Sequence, residues 1–214
     1  MDWLTNAGDE AKAFFSSITG LALEHHSVAG TIAAYRAKNA LKAYENARQK
    51  LKADGIDPRR IDFKVLFPIL QHAGDEDNES LHEKWATLLA NAANPRAKVT
   101  VRPDFVAALA QMTPKEAALV DWLYELEDTS AHKGKGDCHG ITFKEISDKF
   151  FPESAIDTRM AIDNLIRLRI CRAAQGSFTN LIKGGMTLNT ISAPDTLVPT
   201  DYGRAFHTAC TWGK

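Results

Sequence analysis

The stretch Leu66–Asn94, LFPILQHAGDEDNESLHEKWATLLANAAN, carries the densest packing signal in the chain. A short apolar segment leads through an acidic turn, residues 74–79, into a segment whose apolar residues recur every three or four positions. That spacing predicts two helices joined by the turn, each with one apolar face. Asn94-Pro95 ends the second helix, because the residue before a proline avoids helical geometry.

Two details of this stretch need interpretation. Pro68 interrupts the first apolar segment, so we expect a kinked helix or a helix that starts near Phe67. The turn holds four acids in six residues. A calcium loop of the EF-hand type would need alternating oxygen ligands, a central glycine and a terminal glutamate at fixed spacing, and that pattern is absent. The acids are typical of a helix N-terminus, where Asp77 or Asn78 caps the free amides.

Upstream of this stretch, residues 28–52 predict one long helix. Asp54-Gly55 ends it, since glycine readily takes the left-handed conformation that follows a helix. The cations of the helix, Arg36 and Lys42 among them, are interpreted as a solvated face. The predicted apolar stripe consists of Ala34, Ala37, Leu41, Tyr44, Ala47 and Leu51.

The overall composition is that of a protein with a buried core. The chain has 214 residues, of which 44% are hydrophobic and 25% charged, and its net charge is −1. Residues 1–110 carry 14 Lys/Arg and 14 Asp/Glu, and residues 111–214 carry 12 and 13. Because non-specific nucleic-acid binding needs clustered cations, this balance argues against it.

The N-terminal residues 2–26 predict an amphipathic helix or a pair of helices. A membrane-surface helix would need cations on its polar face, and only Lys12 is present, so packing against the protein or a partner is favoured. The uncharged stretch 13–23 is too short to span a bilayer. No cationic leader is visible, and the three widely spaced cysteines are typical of reduced thiols in a cytoplasmic protein.

The second half of the chain carries different secondary-structure signals. Capping signals at Thr113–Glu116, Thr142–Glu145 and Ser154–Asp157 predict three helix starts. Runs at 170–174 and 186–191 predict strands or a β-ribbon, and a last helix begins near Thr200. This order is typical of a winged helix. We therefore predict a mainly α fold with a small β-ribbon. Its parts are an N-terminal amphipathic segment (1–27), a helical core (28–111) and a winged-helix-like domain (112–214).

Residues that could carry chemistry are few. Asp137-Cys138-His139, with His132 nearby, contains metal-ligand types, but a structural zinc site needs four ligands, usually in two close pairs. A nucleophilic Cys138 would need a base and an orienting partner. The sequence therefore assigns no catalytic residue, no metal and no cofactor, and it disfavours an enzyme. A nuclease would have to rely on this loop and the acidic turn alone.

Candidate contact residues lie on and after the predicted recognition helix. Arg159 and Arg167 are on it, and Arg169 follows it. Asp157 and Asp163 lie on or near the same face and would repel phosphate. Winged helices also serve as protein-contact modules, and this domain carries no net positive charge. Protein contact is therefore favoured over DNA contact.

The chain resembles the Abi-alpha (abortive infection alpha) family of bacterial phage-defence proteins. The resemblance rests on Phe67-Pro68-Ile69-Leu70, the acidic turn, and the run from Trp85 to Ala92. Upstream, Arg36-Ala37-Lys38-Asn39 is similar to the family's Arg-x-Lys-Asn segment. Leu197–Phe206 resembles its closing Leu-Thr-x-x-Gly-x-x-Phe element, except that Val198 and Pro199 separate the leucine from the threonine.

The resemblance implies a phage-defence protein that acts through protein contacts as a sensor, an adaptor or a growth-arrest effector. The alternative is a winged-helix DNA-binding regulator. The partner would be encoded by the phage or the host, and self-association is left open. The family brings no catalytic residues with it. Asp75, Glu76 and Asn91 are further contact candidates, although Asn91 fits a helix cap or a backbone contact better.

Overall fold

A computed structural model describes residues 28–129, 140–174, 179–183, 186–190 and 196–213. The predicted segment 1–27 and the loop Asp137–His139 lie outside these residues. The predicted fold class is confirmed, because the described chain is mostly helical with a small three-stranded antiparallel sheet. None of the described helices is both long enough and apolar enough to cross a membrane.

The chain divides into two compact units, Met1–Gln111 with Thr208–Lys214, and Met112–His207. The residues from Thr208 onward thus group with the first unit, whereas the sequence-based division assigns all of 112–214 to the second domain. A physical reason is that the backbone carbonyls of Ala209 and Thr211 accept hydrogen bonds from a buried side chain of the first unit, Asn91.

The described part of the first unit contains four helices before its C-terminal residues: α1 (Val28–Ala53), α2 (Phe63–Asp75), α3 (Glu79–Ala93) and α4 (Pro103–Leu109). Helix α1 packs against both α2 and α3, and α2 also contacts α3 and α4. Gly55, with a φ of 60°, follows the end of α1 as predicted.

Small side chains on α1 let α2 and α3 approach closely. Its buried face consists of Ala37, Ala40, Ala43, Ala47 and Leu51. At the closest approach, a methyl group added at Gly74 would lie 2.9 Å from the backbone oxygen of Arg36. The buried face is therefore rotated from the predicted stripe. Of that stripe, Ala34 is exposed and Tyr44 is 41% exposed.

Of the two alternatives predicted for α2, the start near Phe67 is wrong, because the helix contains Pro68. The helix begins at Phe63, where the Asp62 carboxylate accepts a hydrogen bond from the Lys64 amide at 2.8 Å. Pro68 lies inside the helix. A proline removes one amide donor and strains the preceding turn, and the capped first turn together with the buried Ile69 and Leu70 offsets that cost.

Helix α3 forms the centre of the first unit. The predicted cap is confirmed at Asn78, whose side-chain oxygen accepts from the amides of Ser80 at 3.1 Å and Leu81 at 3.2 Å. Every residue from Trp85 to Ala93 is buried. The Trp85 ring is 1% exposed and stacks on His72 with the ring centroids 5.5 Å apart. The stretch that organises the sequence thus also supplies the core.

The second unit begins with three helices and one short strand: α5 (Pro114–Thr129), β1 (Ile141–Thr142), α6 (Phe143–Phe150) and α7 (Ala155–Arg167). All three predicted helix starts are confirmed. Both predicted capping boxes form. In the first, the Glu116 carboxylate accepts a hydrogen bond from the Thr113 amide at 2.6 Å. In the second, the Thr142 side chain accepts from the Glu145 amide and the Glu145 side chain accepts from the Thr142 amide. Ser154 accepts from the Asp157 amide at 3.1 Å.

Four more strands and a last helix complete the described chain: β2 (Cys171–Ala173), β3 (Thr179–Lys183), β4 (Met186–Thr190), β5 (Thr196–Pro199) and α8 (Asp201–Ala209). Strand β5 lies between β1 and β2 and is antiparallel to both. Strands β3 and β4 pair with each other. The sequence predicts β2 and β4 but not β5, which is only four residues long and ends in a proline.

Thr200 links the start of α8 to the residues just before β2. Its hydroxyl donates to the backbone oxygens of Arg169 at 2.6 Å and Ile170 at 3.0 Å, and it accepts from the Gly203 amide at 2.9 Å. The Tyr124 hydroxyl donates to the Ile170 oxygen at 2.5 Å. Burial raises the pKa of Tyr124 to about 12, so the donor keeps its proton at neutral pH.

We predict that Gly203→Ala destabilises the protein by at least about 2 kcal/mol, because the new methyl group would overpack a filled site. It would lie 1.9 Å from the Tyr124 hydroxyl and 2.0 Å from the Ile170 oxygen. Urea unfolding measures the change. The matched control is Gly55→Ala, which meets nothing within 4 Å and carries only left-handed backbone strain, about 1 kcal/mol. Equal losses in the two variants would contradict the close packing at Gly203.

Candidate functional site

The acidic turn is held by side chains of α1. The Arg36 guanidinium binds the Asp75 carboxylate through two nitrogens, with Nη2 2.9 Å from Oδ2. This hydrogen bond to Asp75 raises the pKa of Arg36 above its ordinary value. The Tyr35 hydroxyl donates to Asp77 Oδ1 at 2.5 Å. Together with Asn39, these α1 side chains and the turn 74–79 form what we term the acidic-turn clasp.

Asn39 makes the less exposed contacts of the clasp. Its Nδ2 atom lies 3.2 Å from the Glu76 backbone oxygen and 3.4 Å from that of Gly74. The backbone oxygen of Asn39 lies 2.9 Å from Nε2 of the buried His82. These contacts join α1 to the end of α2, to the turn and to the start of α3, so the clasp sets the register between the helices.

The α1 cations form a largely solvated face as predicted, since Arg36, Lys38, Lys42 and Arg48 are exposed, and those opposite the acids also form ion pairs. Arg36 pairs with Asp75, and Lys42 Nζ lies 3.3 Å from Glu79 Oε1. Lys50 and Glu83 form a further pair at 2.5 Å. The sequence signal was the match of charge between two separate segments, which periodicity within one helix does not reveal.

Two contact candidates, Asp75 and Glu76, already serve the fold. Asp75 binds Arg36, and Glu76 Oε1 accepts from the Asn78 amide at 2.8 Å. Within the part of the chain that the structure describes, no group of three or more His, Cys, Asp and Glu residues is placed to hold a metal ion. The acidic turn is thus a helix start braced by α1.

Asn91 is buried in α3, with 7% of its surface exposed. Its Nδ2 atom donates to the backbone oxygens of Ala209 at 2.8 Å and Thr211 at 3.1 Å. The end of α3 is capped by Asn94 instead. Asn91 therefore makes the backbone contact that its sequence context suggested, but to a distant segment and not to its own helix.

The three arginine candidates lie on α7 and just after it. Arg159 and Arg167 are exposed, and the Arg159 guanidinium lies 6.0 Å from the centroid of the Phe143 ring. Arg167 Nη2 donates to Asn164 Oδ1 at 2.6 Å. Arg169 has a φ of 61°, an unusual value for a residue other than glycine, and its carbonyl accepts from Thr200.

Two apolar side chains stand out on the same helix. Ile156 is 71% exposed and Met160 is 65% exposed, and their four-residue spacing places them side by side. We define the α7 surface as Ile156, Arg159, Met160, Asp163 and Arg167, all of which are exposed. It combines an apolar pair with charges of both signs.

The sequence analysis did not identify this apolar pair, because it named only charged residues of the helix as contact candidates. The buried face of α7 is Thr158, Ala161 and Leu165. Those residues also recur at spacings of three and four, so they carried a usable signal. Thr158 is 0% exposed and its hydroxyl donates to the Ser154 oxygen, which satisfies a polar group that hydropathy alone would place outside.

A family model described as abortive infection alpha matches residues 36–210. The chain belongs to the abortive infection alpha family. Comparison with curated proteins gave no match, and neither did comparison with solved structures. The region of this abortive infection alpha protein that matches begins at Arg36, the residue that binds Asp75 in the clasp.

The segments on which the family resemblance rests have structural roles in this abortive infection alpha protein. Arg36 and Asn39 bind the acidic turn, and Trp85 is buried in the core of the first unit. Thr200 and Gly203 form the tight junction at the start of α8. These segments therefore help to form the fold of this chain.

We predict that Asn91→Asp is more destabilising than Asn91→Ala. The alanine variant leaves two backbone oxygens without a donor, which costs about 2 kcal/mol. The aspartate variant in addition places a carboxylate against the same two oxygens. Equilibrium urea unfolding measures both changes, and Gln71→Ala, an exposed residue of α2, is a control expected to change stability by less than about 0.5 kcal/mol. If both Asn91 variants were as stable as the parent but lost activity against phage, Asn91 would be a contact residue.

Proposed function

We propose that this abortive infection alpha protein is a cytoplasmic phage-defence protein that binds a protein partner through the α7 surface. The partner is encoded by the phage or the host, and binding makes the protein a sensor, an adaptor or a growth-arrest effector. The observation that carries the proposal is the exposed pair of Ile156 and Met160 on a helix that is otherwise well capped and packed.

The composition of the α7 surface supports contact with a protein. Burying a large apolar side chain contributes about 1.5–3 kcal/mol, so the pair gives an interface its apolar centre. Methionine adapts its shape to a partner, and arginine is enriched in interfaces. Asp163, with Arg159 and Arg167 around it, offers charge pairs that would select among partners.

A second candidate function is that of a winged-helix DNA-binding regulator. The order α5, β1, α6, α7, β2, the β3–β4 pair and β5 supports this candidate, in which α7 would be the recognition helix. Arg159, Arg167 and Arg169 would then meet phosphates or bases. Asp157 and Asp163 on the same helix oppose this function.

We predict that Ile156→Asp combined with Met160→Asp abolishes protection against phage while the protein remains folded, because a partner would have to bury two carboxylates. Efficiency of plating measures protection, and thermal unfolding by circular dichroism checks the fold. Lys144→Asp, an exposed change on α6, is the matched control and keeps full protection. Full protection by a stably folded double variant would refute the α7 surface as the contact site.

The DNA-binding candidate predicts a different pattern. Duplex DNA would be bound at low salt, binding would weaken as salt rises, and Arg159→Ala with Arg167→Ala would reduce the salt dependence by about two phosphate contacts. Fluorescence anisotropy with labelled duplexes measures this. No binding at low salt would eliminate the candidate, whereas a loss of protection in the Ile156/Met160 variant without any DNA binding would favour protein contact.

A further inference from the structure

An open groove of about 1190 Å³ lies within the first unit. It is lined by the C-terminal half of α1, the connection from α1 to α2, the first half of α2, and two residues of α3. Ile56, Ile61 and Leu66 are half-buried in this lining, and the Phe63 ring, which also lines it, is 60% exposed. The groove thus offers aliphatic and aromatic surface that the described part of the chain leaves accessible.

The charge of the groove favours an acidic ligand. Two acids line it, and one of them, Asp62, accepts a hydrogen bond from the Lys64 amide at the start of α2. The other is Asp57. Four exposed cations share the lining, namely Arg48, Lys52, Arg59 and Arg60. The lining therefore carries an excess of positive charge around its apolar surface.

The groove cations are not matched by acids of the fold. Lys42 and Lys50 of α1 pair with glutamates of α3. By contrast, Arg48, Lys52 and Arg60 form no ion pair within the described part of the chain. Arg48 and Lys52 lie one turn apart on α1, where like charges repel each other, so the fold gains nothing from placing them together. They are available for an acidic ligand.

Arg59 is held in position at the end of α3. Its backbone amide donates to the Ala93 oxygen at 2.7 Å, and its Nε atom donates to the Ala92 oxygen at 3.2 Å. Among the described residues its two Nη atoms have no partner. A guanidinium that is already fixed loses little freedom on binding, and its parallel N–H groups match the two oxygens of a carboxylate.

We propose that the groove binds an acidic amphipathic helix of a partner protein. Apolar side chains of that helix, spaced three and four residues apart, lie on the apolar lining, and its flanking carboxylates pair with the cations. A helix about 10 Å across and two turns long fills roughly 850 Å³, so the groove has room for about two turns. This site shares no residue with the α7 surface and is a second, separate place of contact.

Two other kinds of ligand fit the groove less well. Small-molecule sites usually measure about 300–1,000 Å³ and enclose most of their ligand, whereas this groove is larger and open. A nucleic acid would bring its phosphates against Asp57 and Asp62, which repel them, and would leave the aliphatic lining unused.

Selection from a peptide library on the full-length protein tests the proposal. The library contains peptides of about 15 residues with leucines at helical spacings of three and four, and every other position is random. We expect the selected peptides to be enriched in Asp and Glu. Fluorescence anisotropy measures the Kd of the tightest peptide, which should rise with salt because ion pairs at an exposed rim are screened.

Reversal of groove charges tests where that peptide binds. Arg48→Glu with Lys52→Glu should raise its Kd at least about tenfold, because attraction becomes repulsion. The matched control, Arg96→Glu with Lys98→Glu, reverses two exposed cations of the same unit outside the groove and should leave the Kd unchanged. A peptide in which lysines replace the acids should bind the reversed groove better than the parent. Circular dichroism checks that each variant is folded.

A second variant tests the apolar lining. Phe63→Ala removes a ring that is already 60% exposed, so the protein should remain folded while the Kd of the peptide rises at least about fivefold. Ile32→Ala, which truncates an exposed apolar residue of α1 outside the groove, is the control and should leave the Kd unchanged.

Several results would overturn the proposal: no selected peptide, selected peptides without an excess of acids, or a Kd that neither groove variant changes. Displacement of the peptide by single-stranded RNA would assign the groove to a nucleic acid. Self-association of the parent that Phe63→Ala abolishes, measured by analytical ultracentrifugation, would assign it to a second copy. Ile156→Asp with Met160→Asp should leave the Kd unchanged, so failure at the groove is distinguishable from failure at the α7 surface.

Discussion

The acidic turn between α2 and α3 is fixed to α1 by two constraints that act together. A face of alanines lets the backbones come so close that Gly74 has no room for a side chain against the Arg36 carbonyl. The acidic-turn clasp then sets the register, with Arg36 on Asp75 and Asn39 on the backbone of the turn. Exposed ion pairs contribute little stability, so the close packing supplies energy and the clasp supplies specificity.

Because these residues stabilise the fold, the family resemblance is clearest in segments that contain no candidate catalytic residue. The arginine, the asparagine, the acids and the tryptophan of the first unit hold a compact helical core around α3. In the second unit, hydrogen bonds and close packing fix the start of α8 through Thr200, Gly203 and Tyr124. The family pattern is therefore a pattern of folding constraints. The α7 surface, where we propose that a protein partner binds, lies outside the segments that carry the family resemblance.

The sequence predicted what depends on local chemistry. Caps at Asn78, Thr142 and Ser154 are confirmed, because a cap involves residues only two or three positions apart. It failed where distant segments decide the outcome. The α1 stripe was rotated because the acidic turn occupies one side of α1, and Pro68 was tolerated because Asp62 capped the helix earlier. The exposure of Ile156 and Met160 follows from the spacing of Thr158, Ala161 and Leu165, but hydropathy hides that pattern because Thr158 is polar.

The central claim is that the Arg36–Asp75 pair helps to fix the acidic turn to α1. The unfolding free energy of an exchanged pair measures this most directly. Arg36→Asp alone and Asp75→Arg alone should each lower it, because each places like charges side by side, and the double exchange should recover most of the loss. Equal unfolding free energies for the parent and all three variants would contradict the account.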